Sequence, residues 1–176
     1  TKGVSREDSL RVILNYLNLE VSEEEFAALA AEKNQAYVEA LDDLTQADIL
    51  PGIAQLIKDF RANNIKLALA SASKNGPLIL EKLGLDQAFD AIADPAKVAA
   101  GKPAPDIFLA AATALDLAPA DCVGIEDSVA GVTAINDAGA VSIAAGGPEL
   151  DHANKRFDST ADLTYEAVKA AWEEAQ

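Results

Sequence analysis

Three short segments concentrate the side chains that could do chemistry. Ser71-Ala72-Ser73-Lys74-Asn75-Gly76 sets hydroxyls, an ammonium and a carboxamide just ahead of a helical pattern. That combination suits a phosphate, because backbone N–H groups and the dipole at a helix start favour an anion. Ser73 or Asn75 serving only as a helix cap would read the same way. Gly101-Lys102-Pro103-Ala104-Pro105-Asp106 holds one lysine between elements, stiffened by two prolines. This suits a fixed cation, although a solvated surface lysine before a helix has the same appearance. Glu126-Asp127-Ser128 places adjacent carboxylates at the end of the apolar run Cys122-Val123-Gly124-Ile125. Two such carboxylates are costly together unless something positive lies between them. A magnesium ion is the natural partner for hard oxygen donors, and a helix N-cap at Asp127 or Ser128 is the plainer alternative.

The elements that must position these segments fall into two regimes. Residues 1 to about 48 read as helical. Ser5-Arg6-Glu7-Asp8 and Ser22-Glu23-Glu24-Glu25 both have the capping-box pattern. Leu10, Ile13, Leu14 and Leu17, then Phe26, Leu29, Ala30, Tyr37 and Leu41, recur at helical spacing. Residues 49–176 alternate strand and helix. Helices are expected from Pro51-Gly52 through Phe60, from Gly76 to Leu83, from Pro105 to Leu115, from Ser128 to Ala138 and from Tyr165 to Glu174. Strands are expected at Ile65 to Ala70, Asp90 to Ala93, Cys122 to Ile125 and Ala140 to Ala144. Such alternation predicts an α/β fold, a parallel sheet with crossover helices, whose sites lie in the loops at the carboxyl ends of the strands. There is no internal repeat and no low-complexity tract.

Composition narrows the classes of function. Of 176 residues half are apolar, as in a folded globular protein. No apolar run approaches the ~20 residues needed to span a bilayer. The formal charge of −15, from 14 basic and 29 acidic side chains, repels phosphate backbones and argues against nucleic acid. A small anion would bind only where a few cations are gathered locally. Cys122 is the single cysteine and His152 the single histidine. Neither a disulfide nor a zinc cluster is available from them, Cys122 reads as a buried small hydrophobe, and a reducing, cytoplasmic setting fits.

Taken together and in this order, the hydroxyl loop, the lysine loop and the acidic pair resemble the haloacid dehalogenase superfamily, and within it the β-phosphoglucomutase family. The resemblance extends over Lys2-Gly3-Val4-Ser5-Arg6-Glu7-Asp8-Ser9, Leu69-Ala70-Ser71-Ala72-Ser73-Lys74-Asn75-Gly76, Ala91-Ile92-Ala93-Asp94-Pro95 and Lys102-Pro103-Ala104-Pro105-Asp106-Ile107-Phe108, and it runs from residue 1 to about 147. It implies a Rossmann-like core at 49–176 and a small helical cap at 1–48. It also implies an intramolecular phosphotransferase of carbohydrate metabolism, converting β-glucose 1-phosphate to glucose 6-phosphate through an aspartyl-phosphate and a bisphosphate intermediate. By this resemblance Glu126 and Asp127 are ligands of Mg2+, and Ser71 and Lys102 grip the transferring phosphoryl group. Arg6, Ser73, Lys74 and Asn75 hold the second phosphate, and Lys33 faces the sugar. The implied partner is a small phosphosugar, with no nucleic acid or membrane, and the complete enzyme is expected to be a monomer.

The sequence departs from the family in one respect. No Asp-x-Asp lies on an apolar strand; Asp42-Asp43 is adjacent and sits at a helix end. The chain contains no methionine and begins Thr1-Lys2-Gly3. The expectation is a chain lacking the family's nucleophile strand and the first cap helix, with a sheet short of a central member and with little activity alone. A sugar-phosphate phosphatase of the same superfamily and a non-catalytic phosphate-binding remnant remain alternatives.

Overall fold

The computed structural model describes Gly3 and residues 5–176; Lys2 and Val4 of the segment quoted above lie outside the described residues. Two helices come first, α1 at Arg6–Tyr16 and α2 at Glu23–Ala40. Ser5 caps α1, its Oγ accepting from the Asp8 N–H at 3.1 Å. Ser22 and Glu25 close both halves of the capping box on α2: the Glu25 N–H donates to Ser22 Oγ (3.2 Å) and the Ser22 N–H to Glu25 Oε2 (2.8 Å). Leu10 and Leu14 are buried, and the Arg11 guanidinium stacks 4.6 Å over the Phe26 ring.

The apolar face expected along α2 is not buried. None of its residues is, and Leu29 and Tyr37 are exposed, as are Val12, Tyr16, Leu17 and Leu19 nearby. Two helices packed side by side share only one seam, so the rest of each apolar stripe has nothing to cover it. Short 3-10 turns at 41–43 and 46–48 lead out of this layer, with Leu41 buried. The Lys82 ammonium meets Asp42 at 3.0 Å across the join.

The α/β part follows as α3 (Ile53–Ala62), β1 (Ala68–Leu69), α4 (Gly76–Lys82), β2 (Ala91–Ile92), α5 (Asp106–Ala114), β3 (Val123–Glu126), α6 (Val129–Ala138), β4 (Val141–Ala145), β5 (Lys155–Phe157) and α7 (Tyr165–Glu174). All strand pairs are parallel, as the alternation predicts. They form two sheets: β1 with β2, and β3-β4-β5 in that order. Among the described residues no ladder joins β1 to β3.

Each sheet has its own core. On β1 and β2, Ala93, Ile107 and Ala111 pack with Ala68 and Ala70 beneath α5. On the other sheet, Leu56, Phe60, Ile143, Leu163 and Val168 bring α3 and α7 onto β3 and β4. Val132, Ala144 and Leu150 fill the opposite face beneath α6. Helix α5 lies against α6, and Leu67 reaches the cluster around Phe60, so packing spans the seam that backbone bonds do not.

Two expectations need correction. The strand expected over Ile65 to Ala70 contracts to Ala68–Leu69, because β1 is laddered on one side only. Strand β5 was not expected. Lys155 and Arg156 break the apolar pattern there, as edge strands commonly do. No helix among the described residues is long and apolar enough to cross a membrane.

Asp90 holds the start of β1 to β2. Its Oδ2 accepts from the Leu67 N–H at 2.8 Å, and both carboxylate oxygens meet Arg61 Nη1 at 2.7 Å. The Leu67 N–H first, and Arg61 second, hold this carboxyl below its ordinary range. A depressed folded pKa contributes stability above the unfolded value of about 3.9, and that contribution is lost as pH falls through the folded value. Asp90→Ala should therefore lower the urea midpoint at neutral pH, with the deficit shrinking below about pH 4. A deficit that stays constant into the acid range would show that the carboxylate charge plays no part.

Candidate active site

The end of β3 is the most heavily built point of the site. Glu126 is the last residue of the strand itself, which runs one position beyond the end expected from sequence. Its side chain is 11% exposed, and the Lys102 side chain facing it is 5% exposed, with Nζ 3.4 Å from Glu126 Oε1. Charges this deep are stable only when paired. Lys102 is thus not a solvated surface lysine. Its ammonium also stands 4.8 Å from the centre of the Phe108 ring. The loop that carries Lys102 is closed by the Ala104 N–H on Gly101 O (3.0 Å) and by the Ala100 N–H on Asp106 Oδ1 (3.2 Å).

Ser128, 3% exposed, does two things at once. Its Oγ accepts from the Gly131 N–H at 3.1 Å as the N-cap of α6, and donates to Glu126 Oε1 at 2.7 Å. Of the two capping candidates in the sequence, Ser128 is the one used. Gly131 follows one turn on. A Cβ there would overlap the Glu126 carboxylate, so only glycine lets the helix lie this close. Asp127 is exposed and opens onto a cleft of about 530 Å3 bounded by Pro103, Ser128, Thr133 and Glu149. Among the described residues no three His, Cys, Asp or Glu side chains gather as a metal site. Glu126 and Asp127 therefore offer two neighbouring carboxylates, with no third acid gathered onto them among the described residues.

The second polar group follows β1. The Ser73 N–H donates to Ser71 Oγ at 3.1 Å, and the Asn75 N–H donates to Ser73 Oγ at 3.2 Å. These successive hydroxyl turns fold the loop back on itself. Ser71, Ser73 and Asn75 are half-buried and Lys74 is exposed. Asn75 stands at the N-cap of α4, yet its side chain makes no cap bond. It donates instead to Asn34 Oδ1 on α2, at 3.3 Å.

The helical segment therefore meets both polar groups. Asn34 touches the loop after β1. A Cβ on Gly3 would overlap the Ser128 hydroxyl and lie 3.7 Å from Glu126 Oε1. Half-buried Arg6, the first residue of α1, starts three residues beyond that contact, and exposed Lys33 is the neighbour of Asn34. Lys102, Glu126 and Ser128 are in direct contact. No bond ties Arg6 or Lys33 to the other candidate residues among those described.

Sequence reasoning missed Ser128 as the partner of Glu126, the clearance provided by Gly131, the ring of Phe108 and the contact of Asn34. A glycine within the first turn of an apolar helix was a legible signal, since it weakens the helix unless something must approach closely. Asn34 carried none. Cys122 is half-buried with Sγ 3.4 Å from Ala118 O; burial, then the Asp121 charge, push its thiol up and leave it a poor nucleophile.

Residues 6–139 match the family model described as haloacid dehalogenase-like hydrolase. Over 182 aligned residues the chain is 45% identical to β-phosphoglucomutase of Bacillus subtilis (strain 168), covering 98% of this chain and 78% of that protein. The crystal structure of β-phosphoglucomutase from Clostridium difficile superposes with a TM-score of 0.95 at 45% identity, covering 99% of this chain and 79% of the other. The CbbY structure from Rhodobacter sphaeroides in complex with phosphate gives a TM-score of 0.77 at 28% identity, over 94% and 78% of the two chains. The chain belongs to the haloacid dehalogenase-like hydrolase family, in the company of the β-phosphoglucomutases.

Proposed function

We propose that this site binds a phosphorylated sugar for phosphoryl transfer of the β-phosphoglucomutase kind, interconverting β-glucose 1-phosphate and glucose 6-phosphate through a bisphosphate. The supporting observation is the presence of two separate polar groups. One is built on Lys102, Glu126 and Ser128, the other on Ser73 and Asn75 in the loop that Ser71 begins, and the helical segment touches both. A bisphosphate needs two anion positions, whereas hydrolysis of a monoester needs one.

In this reading residues 1–48 form the cap and residues 49–176 the core. Ser71 and Lys102 hold the transferring phosphoryl group, and the Lys102 charge offsets repulsion between that group and the carboxylates. Arg6 clamps the second phosphate in bidentate fashion, with Ser73, Lys74 and Asn75 contributing donors. Lys33 faces the sugar. No residue matches the family's Asp-x-Asp, so these residues bind, orient and exclude water. With Arg6 and Lys33 on α1 and α2, an approach of the cap completes the second phosphate position and shields it from solvent.

The family implies Mg2+, and the residues present fit it. Glu126 and Asp127 are hard oxygen donors at the end of one strand, and Ser128 fixes the Glu126 carboxylate. Two carboxylates with the remaining positions left to water and phosphate oxygens is an ordinary magnesium shell. When bound, the ion neutralises charge on the phosphoryl group. A single unpaired cysteine suits a cytoplasmic setting, and the active species is a monomer. A phosphatase with water as acceptor is the second reading, favoured by the hydrolase description of the matching family.

Calorimetric titration in Mg2+ separates the two. The mutase reading predicts that β-glucose 1,6-bisphosphate binds at least about tenfold more tightly than either monophosphate, a gap of ~1.4 kcal/mol, and that Arg6→Ala removes most of the gap. Equal affinities for bisphosphate and monophosphate would favour the phosphatase. Gly131→Ala should displace the Glu126 carboxylate and weaken Mg2+ binding by about tenfold or more. Unchanged Mg2+ affinity in that variant would remove Glu126 from the ligand set.

A further inference from the structure

We infer that Asn34 is a positioning residue for the second phosphate: it sets the Asn75 carboxamide and makes the placement of α2 a condition of binding. This inference rests on the reading of Asn75 as a phosphate contact given above.

The argument starts from what Asn75 does not do. A residue at the start of a helix normally turns its side chain back to accept from an N–H of the first turn. Asn75 is at that position in α4 and forms no such bond. Its backbone N–H is already engaged by Ser73 Oγ at 3.2 Å, which fixes its main chain. Its side chain crosses to a different layer of the molecule and donates from Nδ2 to Asn34 Oδ1 at 3.3 Å, linking residues 41 apart in sequence. Both side chains are half-buried, so solvent competes only partly for the bond.

A carboxamide has two N–H donors and one carbonyl acceptor. With one N–H held by Asn34, rotation of the Asn75 amide is restricted, and the second N–H acquires a fixed direction. Without Asn34 the group turns freely, and its ends exchange donor for acceptor. An acceptor presented to an anion repels it. The same bond couples two parts of the protein, since Asn34 rides on α2 beside Lys33, while Asn75 belongs to the loop after β1. Movement of α2 away from the core releases the amide.

The test is a double-mutant cycle on the whole chain: wild type, Asn34→Ala, Asn75→Ala and the double variant. Affinity for glucose 6-phosphate in Mg2+ is read by calorimetry, and folding by the thermal midpoint. The expected result is a loss of about threefold to tenfold for Asn34→Ala in the wild-type background, the scale of one neutral hydrogen bond, and no further loss in the Asn75→Ala background. Asn34→Asp keeps the acceptor, so it should hold the Asn75 side-chain amide signals in 15N NMR at their wild-type shifts, where Asn34→Ala moves them. An equal loss from Asn34→Ala in both backgrounds, or a fall in thermal midpoint with affinity unchanged, overturns the inference while leaving the sugar-phosphate reading intact. A wild-type chain that binds no sugar phosphate overturns both.

Discussion

The ion pair between Lys102 and Glu126 is the interaction on which the candidate site rests. Lys102 sits in the loop that launches α5, and α5 packs on β1 and β2. Glu126 ends β3, in the other sheet. Among the described residues the two sheets share no ladder, so this contact is a polar tie across the seam, buried with Ser128 and backed by the Phe108 ring. Breaking such a pair by deleting one partner leaves an uncompensated charge and costs about 3–5 kcal/mol. That cost couples folding to the site: the side chains that the proposed chemistry requires are also those that the fold cannot leave single. Within the β1–β2 block itself, the Lys66 ammonium donates to Leu115 O at the end of α5 at 2.8 Å and secures that helix to the start of β1.

The parts of this structure that were legible in sequence are the ones governed by local rules. Glu25 and Ser22 close the capping box their spacing announces, and α6 ends at Gly139 in the left-handed region, as a helix-stopping glycine does. Parallel strands with crossover helices follow from the alternation of patterns. What could not be read depends on partners distant in the chain. The exposure of Leu29 and Tyr37 reflects what packs on α2, which periodicity does not report. The contraction of β1 and the existence of β5 depend on their neighbours in the sheet. For the site, residue types at strand ends indicated Lys102 and Glu126. Their direct contact, the Ser128 bond and the crossing from Asn75 to Asn34 arise only when separate elements meet.

A chain of net charge −15 that handles an anion must do so against its own field. The cations that the proposed function assigns to the site are few and unequal. Lys102 is enclosed, and its charge is strengthened by the low polarity around it. Lys33 and Lys74 are exposed, and solvent and salt screen them. In the proposed reading the weight of anion recognition therefore falls on enclosed Lys102, half-buried Arg6 and directed hydrogen bonds rather than on a general attraction.

The seam between the sheets also bears on cooperativity. Each sheet carries its own apolar cluster, one under α5 and the other between α3, α7 and α6. The α/β part is thus divisible into two blocks that meet through the α5–α6 packing, Leu67 and the Lys102–Glu126 pair. Proteins so divided open in stages, and the first to part is the junction with the least buried area. A parting of these blocks would separate Lys102 from Glu126 while leaving the apolar clusters intact. A ligand that bridges the two blocks would therefore hold them together by binding the joined form alone.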